Sequence, residues 1–335
     1  MAYKFKAGES VPESIRRIAT EELDSAAEQL DGKGSSSREE AIHEARKSVK
    51  KTRAILRLAK SELGDVRSRE NVRLRDAGRR LSELRDAGAI VVSFDDLKAA
   101  FPNEAGLDAL EPIRAGLVAR RDQTMEQPGI EERLKAMAKS FRSAAKRVKA
   151  WPLNADSFAA IRTGLEDSYR EGRRAMTKAR KQPTAPNYHE WRKRAKDHWY
   201  HIRLLEPLWT DVMQAHEKSL KDLETWLGDD HNLVVLREKI LSEPDLSADE
   251  KAASLATRLI ERRQKELRKN SLALGARIYE EKPREFSRRM KRLWEAWQAS
   301  PKSLEQAEEH TEAAPPKKAA GSRGSRQHKT RVTAA

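Results

Sequence analysis

One register runs through this chain: residues 146 apart keep matching from its first predicted helix to its last. His43, Glu44, Arg46, Lys47, Lys50, Arg57 and Leu58 return as His189, Glu190, Arg192, Lys193, Lys196, Arg203 and Leu204. At the same offset Ile15 and Arg16 match Ile161 and Arg162, Leu74 and Asp76 match Leu220 and Asp222, and Leu81 matches Leu227. Ala150-Trp151 matches Ala296-Trp297. A fixed offset held across both halves marks a duplicated structural unit. It predicts two tandem lobes, 10–151 and 155–299, joined near Trp151-Pro152.

The apolar residues recur with a helical period nearly throughout, and β-branched runs are few. The pattern predicts helices over 10–30, 37–62, 66–87, 104–126, 130–150, 154–181, 187–208, 211–228, 247–277 and 282–299. The serines Ser35-Ser36-Ser37 before Arg38-Glu39-Glu40 form an N-cap cluster with acid in the first turn. Asp31-Gly32-Lys33-Gly34 ends the helix before it, and Gly64 and Gly228 suit the residue just past a helix end. Val91 and Val92 hint at a strand, but the run is isolated and reads as a short helix or loop. The expected fold class is all-α, two tandem pseudo-symmetric helical bundles.

The repeated helix carries the chemistry. Wound at about 100° per residue, His43, Lys47 and Lys50 share one narrow sector, with Arg46, Arg53 and Arg57 beside it. Ile42, Ala45, Val49 and Leu56 collect opposite, as a core face. The second copy repeats the stripe as His189, Arg192, Lys193, Lys196 and Arg203. Arg offers a planar fork to two phosphate oxygens, and Lys a mobile point charge. Stacking like charges at i, i+3 and i+4 costs a few tenths of a kcal/mol per pair, and this chain does it twice. That points to an anion ligand. The cations beside each histidine favour its neutral form, so a polyanion would bring a proton to it. The His-Glu-x-x-Arg order lacks the second histidine of a zinc helix. Arg75, Arg79, Arg85, Arg173, Lys218 and Lys221 are secondary basic candidates, with Asp76, Asp86 and Asp222 placed to orient neighbours.

Charge agrees with that direction. The 335 residues hold 68 Lys+Arg against 53 Asp+Glu, a formal +15, which suits a polyanion partner. With no cysteine there is neither disulfide nor thiolate metal site, and a reducing compartment such as the cytoplasm is expected. The start is polar, without a secretory leader, and the longest apolar stretch, 87–94, is too short to span a bilayer. No membrane partner and no cofactor are expected. Residues 301–335, with Pro315-Pro316-Lys317-Lys318 and Gly321-Ser322-Arg323, read as a disordered basic tail. No Walker loop, dinucleotide-binding glycine motif or nucleophile elbow is present. A binding protein rather than an enzyme is expected.

His-x-x-Arg-Lys-x-x-Lys opening a long helix, twice in an all-helical chain, resembles the conserved-histidine α-helical domain, or CHAD, family. Arg75 to Asp86, and Leu220 to Leu236 with its Leu-Gly-Asp-Asp-His-Asn, resemble that family's downstream helices. The resemblance covers about 10–299. It implies two pseudo-symmetric bundles around a basic central channel that binds inorganic polyphosphate, with association to polyphosphate granules in some members. Some members are fused to a triphosphate-tunnel domain; no Glu-x-Glu-x-Lys segment signals one here, so a stand-alone binder is expected. The second copy departs from the first in carrying Asp197 and Trp199 at the positions of Lys51 and Arg53. The alternative reading is a general DNA- or RNA-binding protein. Against it, aromatics are only 5% of the chain, and Trp191, Trp199, Trp226, Trp294 and Trp297 sit where helix packing would use them.

Overall fold

In the computed structural model, residues 3–33, 37–126 and 128–300 are described, and for 83–87, 125 and 247 the description stops at the backbone. The expected tail, 301–335, lies outside the described residues. Everything regular among them is helix: α1 (Val11–Leu30), α2 (Arg38–Leu58), α3 (Lys60–Ala99), α4 (Glu111–Met125), α5 (Ile130–Val148), α6 (Ala159–Lys181), α7 (Ala185–Leu204), α8 (Thr210–Ser242), α9 (Pro244–Ser247), α10 (Glu250–Ile278) and α11 (Pro283–Ala299). Short 3-10 turns at Leu107–Leu110 and Glu206–Leu208 precede α4 and α8.

Local chemistry explains several boundaries. At α1, Ser10 Oγ accepts from the Glu13 N–H while the Glu13 carboxylate accepts from the Ser10 N–H, a reciprocal capping box. Ser37 is the cap of α2, its Oγ accepting from the Glu40 N–H at 3.2 Å, with Glu39 and Glu40 in the first turn. Ser35 and Ser36 of the expected cap cluster lie outside the described residues.

Three boundaries differ from expectation. The helix expected to reach 62 breaks at Ala59, and α3 restarts at Lys60. Gly64 does interrupt the helix, as expected: at φ 47° and ψ −127°, a conformation open essentially to glycine, it is the kink at which two helical segments of α3 meet. Val91 and Val92 are helical, because α3 runs on to Ala99 and buries Ile90, Phe94 and Leu97. Gly228, by contrast, ends nothing. α8 continues to Ser242, since Leu233, Leu236 and Ile240 keep the helical period and have an apolar surface to bury against.

Two apolar clusters organise the packing. The larger draws on α1, α2, α5, α6, α7, α11 and the N-terminal parts of α3 and α8; Trp191, Tyr169, Phe141 and Ile161 are among its fully buried members. The smaller joins the C-terminal parts of α3 and α8 to α4, α9 and α10 through Phe94, Leu110, Leu236 and Leu259. Residues from both halves of the sequence contribute to each cluster, and residues to Ala299 form one compact unit. The long helices α3 and α8 therefore pass from one cluster to the other. On α8, no residue between Leu227 and Leu233 belongs to either cluster. Arg46, Lys50, His189 and Arg192 of the predicted stripes line the space beside that stretch.

Candidate functional site

α2 and α7 meet directly. The ring of His201 hydrogen-bonds the Ala54 carbonyl at 2.9 Å, so Nε2–H donates, and Arg57 forms an ion pair with Asp197. Gly164 of α6 sits against the C-terminus of α2, where a Cβ would lie 2.0 Å from the Leu58 carbonyl oxygen. These contacts fix the two stripe helices relative to one another.

A cavity of about 310 Å³ opens where the four helices come together. Arg46 and Lys50 of α2 line it with His189 and Arg192 of α7, and its remaining wall comes from α3 and α8, notably Ser82, His231 and Asn232. Four of the predicted stripe residues, two from each repeat, thus share one enclosed space. Lys50, His189 and Arg192 carry polar atoms that go without a partner among the described residues. Lys50 makes no hydrogen bond or ion pair with any described residue. Burial, then the charges of Lys196, Arg46 and Arg192, hold its ammonium pKa well below the usual lysine range. Arg192 Nε and His189 Nδ1 are buried without a hydrogen-bond partner among the described residues. Burial and the Arg192 and Lys193 charges lower the His189 pKa. His231, its ring centroid 4.2 Å from that of His189, is depressed to about 4 by burial, His189 and Arg192. Both imidazoles are therefore neutral at pH 7.

One buried acid stands beside this cluster. Glu224 of α8 is 4% exposed; its carboxylate accepts from Lys196 at 2.6 Å and Lys221 at 3.1 Å, with Arg192 at 3.9 Å. Burial alone would raise its pKa, but Lys196, Lys221 and Arg192 carry it down to about 2. The pair is lopsided: Lys196 remains below the ordinary lysine value, since burial and Arg192 outweigh its one carboxylate. Three cations and one anion leave an electropositive surplus around Lys50.

The other stripe residues lie elsewhere. Lys47 and Lys193 turn back to the glutamate three residues before each, Glu44 and Glu190. His43 is partly exposed beside Glu44, at 3.9 Å, and is not a cavity residue. Arg53 donates to Asn71 at 3.0 Å, and burial followed by the charges of Arg57, Arg75 and Arg79 lowers its pKa, which places these four guanidiniums in one cluster. Arg75 also holds Asp76 at 2.8 Å. Arg203 pairs with Glu217 at 3.0 Å and lies over the rings of Tyr3 and Trp199; Lys196 and Lys221 approach Trp199 as well. Trp199, standing where the first copy has Arg53, is thus a platform for cations rather than a missing one. Lys51 leaves the stripe to pair with Glu22 at 2.7 Å. Lys218 is exposed on α8, and Arg173 faces a different cavity, beside α10. The Arg85 and Asp86 side chains lie outside the description.

Sequence reasoning passed over Glu224, Ser82 and His201, and met His231 and Asn232 within the Leu-Gly-Asp-Asp-His-Asn stretch. The repeat contained a signal for Glu224, because its counterpart in the first half is Gly78, where an acid has no equivalent. Among the described residues no group of three or more His, Cys, Asp or Glu is placed to hold a metal ion. No helix among them is long and apolar enough to cross a membrane.

Fold and site together define an all-helical protein whose two motif-bearing helices converge on a cation-lined cavity. Residues 17–241 match the CHAD domain family, and the chain belongs to that family. No curated protein matches it.

Proposed function

We propose that this protein binds inorganic polyphosphate through α2 and α7, and that binding rather than turnover is its function. The observation that carries the reading is Lys50: a half-buried ammonium with no ion-pair or hydrogen-bond partner among the described residues, sharing one cavity with Arg46, Arg192 and His189 from both stripes. A group that disfavours its own charge in the free protein gains most when a polyanion arrives. Family membership is consistent with this ligand class. The site lies between two copies of one unit: α2 ends at Leu58 and α7 at Leu204, the same 146-residue offset that relates the motifs. A linear polyanion running past the cavity to Arg53, Arg57, Arg75 and Arg79 would meet cations over most of α2, which is the basic channel of the proposal. The protein is placed in the cytoplasm, at polyphosphate granules where these exist.

The test is Lys50→Ala. It removes an unpaired half-buried charge, so the fold should keep or gain stability, while affinity for long-chain polyphosphate falls about tenfold, roughly the 1.4 kcal/mol of one lost charged contact. Unchanged affinity would sink the assignment. Release of inorganic phosphate from polyphosphate over hours at a stoichiometric protein concentration would overturn the non-enzymatic part. General DNA or RNA binding remains the alternative to be measured, but Trp191, Trp199, Trp294 and Trp297 are buried and so withheld from base stacking.

A further inference from the structure

A second, larger cavity has no part in the site above. It measures about 740 Å³ and lies between the C-terminal half of α6 and the corner joining α10 to α11. Its lining shares no residue with the cavity between α2 and α7. One wall is cationic: Arg173, Arg174, Lys178, Arg180 and Lys181. None of these five side chains has a carboxylate partner among the described residues. The cavity does hold two modifiers of that charge. Arg170 at its edge is tied to Glu166 and Asp167, and Glu280 stands on the opposite side. The cavity's lining also includes apolar groups, Met176 on α6 among the cations and Ala276, Tyr279 and Pro283 from the α10–α11 side.

Two features separate this cavity from the repeat. The positions 146 residues before Arg170 and Arg174 are Asp24 and Glu28, and those before Lys178 and Lys181 are Gly32 and Ser35. The charge was therefore not inherited with the duplicated unit; it belongs to the second half alone. The wall chemistry differs too. The stripe cavity is lined by cations and imidazoles, whereas this one combines cations with the apolar groups Met176, Ala276 and Pro283. Arg174, Lys178 and Lys181 form a row of like charge at i, i+4 and i+7 along α6; the helix dipole favours the two lysines in its last turn, while Arg174 has no such compensation.

We propose that this cavity is a ligand site for a nucleoside polyphosphate. Arg173, Arg174, Lys178 and Lys181 take the phosphates, the guanidiniums by two-pronged contacts. Met176, Ala276 and Pro283 cover the nucleoside, thioether and small apolar groups adapting to a flat ring. The volume is in the range of small-molecule sites, roughly 300–1,000 Å³.

The probes are ATP and tripolyphosphate, titrated calorimetrically into the intact chain at one salt concentration. Two variants attack the cavity from different helices: Arg174→Glu with Lys178→Glu on α6, and Ala276→Glu on α10, all three exposed positions. ATP should bind with one-to-one stoichiometry, and each variant should weaken it at least tenfold. Displacement of labelled long-chain polyphosphate should stay within twofold in both, and Lys50→Ala should show the reverse pattern. Circular dichroism monitors folding; if the α6 double variant unfolds, Ala276→Glu alone decides. The inference fails if ATP does not bind, or if both variants leave its affinity unchanged. It fails equally if Ala276→Glu weakens tripolyphosphate as much as ATP, since the apolar groups would then recognise nothing.

Discussion

Lys50 and Glu224 divide the work of the site between them. Glu224 keeps Lys196, Lys221 and Arg192 tolerable inside the fold, while Lys50 has no partner among the described residues and is, in the proposed reading, the group a ligand would pair. Removing the acid should therefore separate stability from binding. Breaking a buried ion pair costs about 3–5 kcal/mol, so Glu224→Gln should lower Tm by several degrees yet bind polyphosphate more tightly, and saturating polyphosphate should recover most of the lost Tm. A variant that loses Tm and affinity together would contradict this division. By the same reasoning Lys47→Ala and Lys193→Ala, which remove cations already held by their own glutamates, should change affinity less than threefold. The imidazoles add a pH term. His189 and His231 have depressed pKa values in the free protein, His231 at about 4, and a nearby polyanion raises them. Binding should then take up protons, and affinity should rise as pH falls from 7 toward 5. Affinity independent of pH over that range would remove the histidines from the account.

At the scale of elements, the close approach of α6 to α2 is the joint on which the stripe geometry depends. A Cβ on Gly164 would lie 2.0 Å from the Leu58 oxygen and 2.4 Å from the Arg57 oxygen, both backbone atoms at the end of α2. Neither can yield without moving the helix. Gly164→Ala should cost about 2–4 kcal/mol and weaken polyphosphate binding as well, because Arg57 and the stripe would shift; urea denaturation and the same binding assay check both. Periodicity made these helices legible, along with which residues share the α2 and α7 faces. It gave α7 within a few residues and found all four stripe groups that line the cavity. What it missed was tertiary in origin. Gly64 and Gly228 carry the same local signal; the backbone breaks at the first, while at the second the apolar surface beyond it lets α8 go on. Equally, no spacing rule says that Lys51 turns to Glu22, or that Asp197 neutralises an arginine of the other repeat.

For the molecule as a whole, buried histidines set the limit on acid tolerance. His198 is 0% exposed with both ring nitrogens unpartnered, and burial holds its pKa well below the ordinary value. His201 and His216 are pushed down to about 4, again chiefly by burial. Each folds as a neutral ring, whereas the unfolded chain protonates near pH 6.5. Stability is therefore full above that pH and is lost as pH falls toward 4, on the order of 2 kcal/mol per histidine. Glu224 extends the loss to lower pH, since its stabilisation is present above the ordinary carboxylate range and disappears as pH drops through about 2. Tm should fall steadily between pH 6.5 and 4.5, and a flat profile there would show that these rings protonate inside the fold without penalty.

The formal charge of +15 would draw many anions to this chain, so selectivity is what separates a built site from a sticky surface. The decisive measurement is a competition titration at about 150 mM salt, a concentration at which surface charges are screened beyond about 8 Å. Labelled long-chain polyphosphate is bound to the protein and then challenged with unlabelled polyphosphate, duplex DNA or RNA at equal phosphate concentration. The account predicts displacement by polyphosphate alone, with short oligophosphates competing poorly because they cannot reach from the cavity to the Arg53 cluster. Equal displacement by DNA or RNA would contradict it, leaving the two stripes a general cationic face.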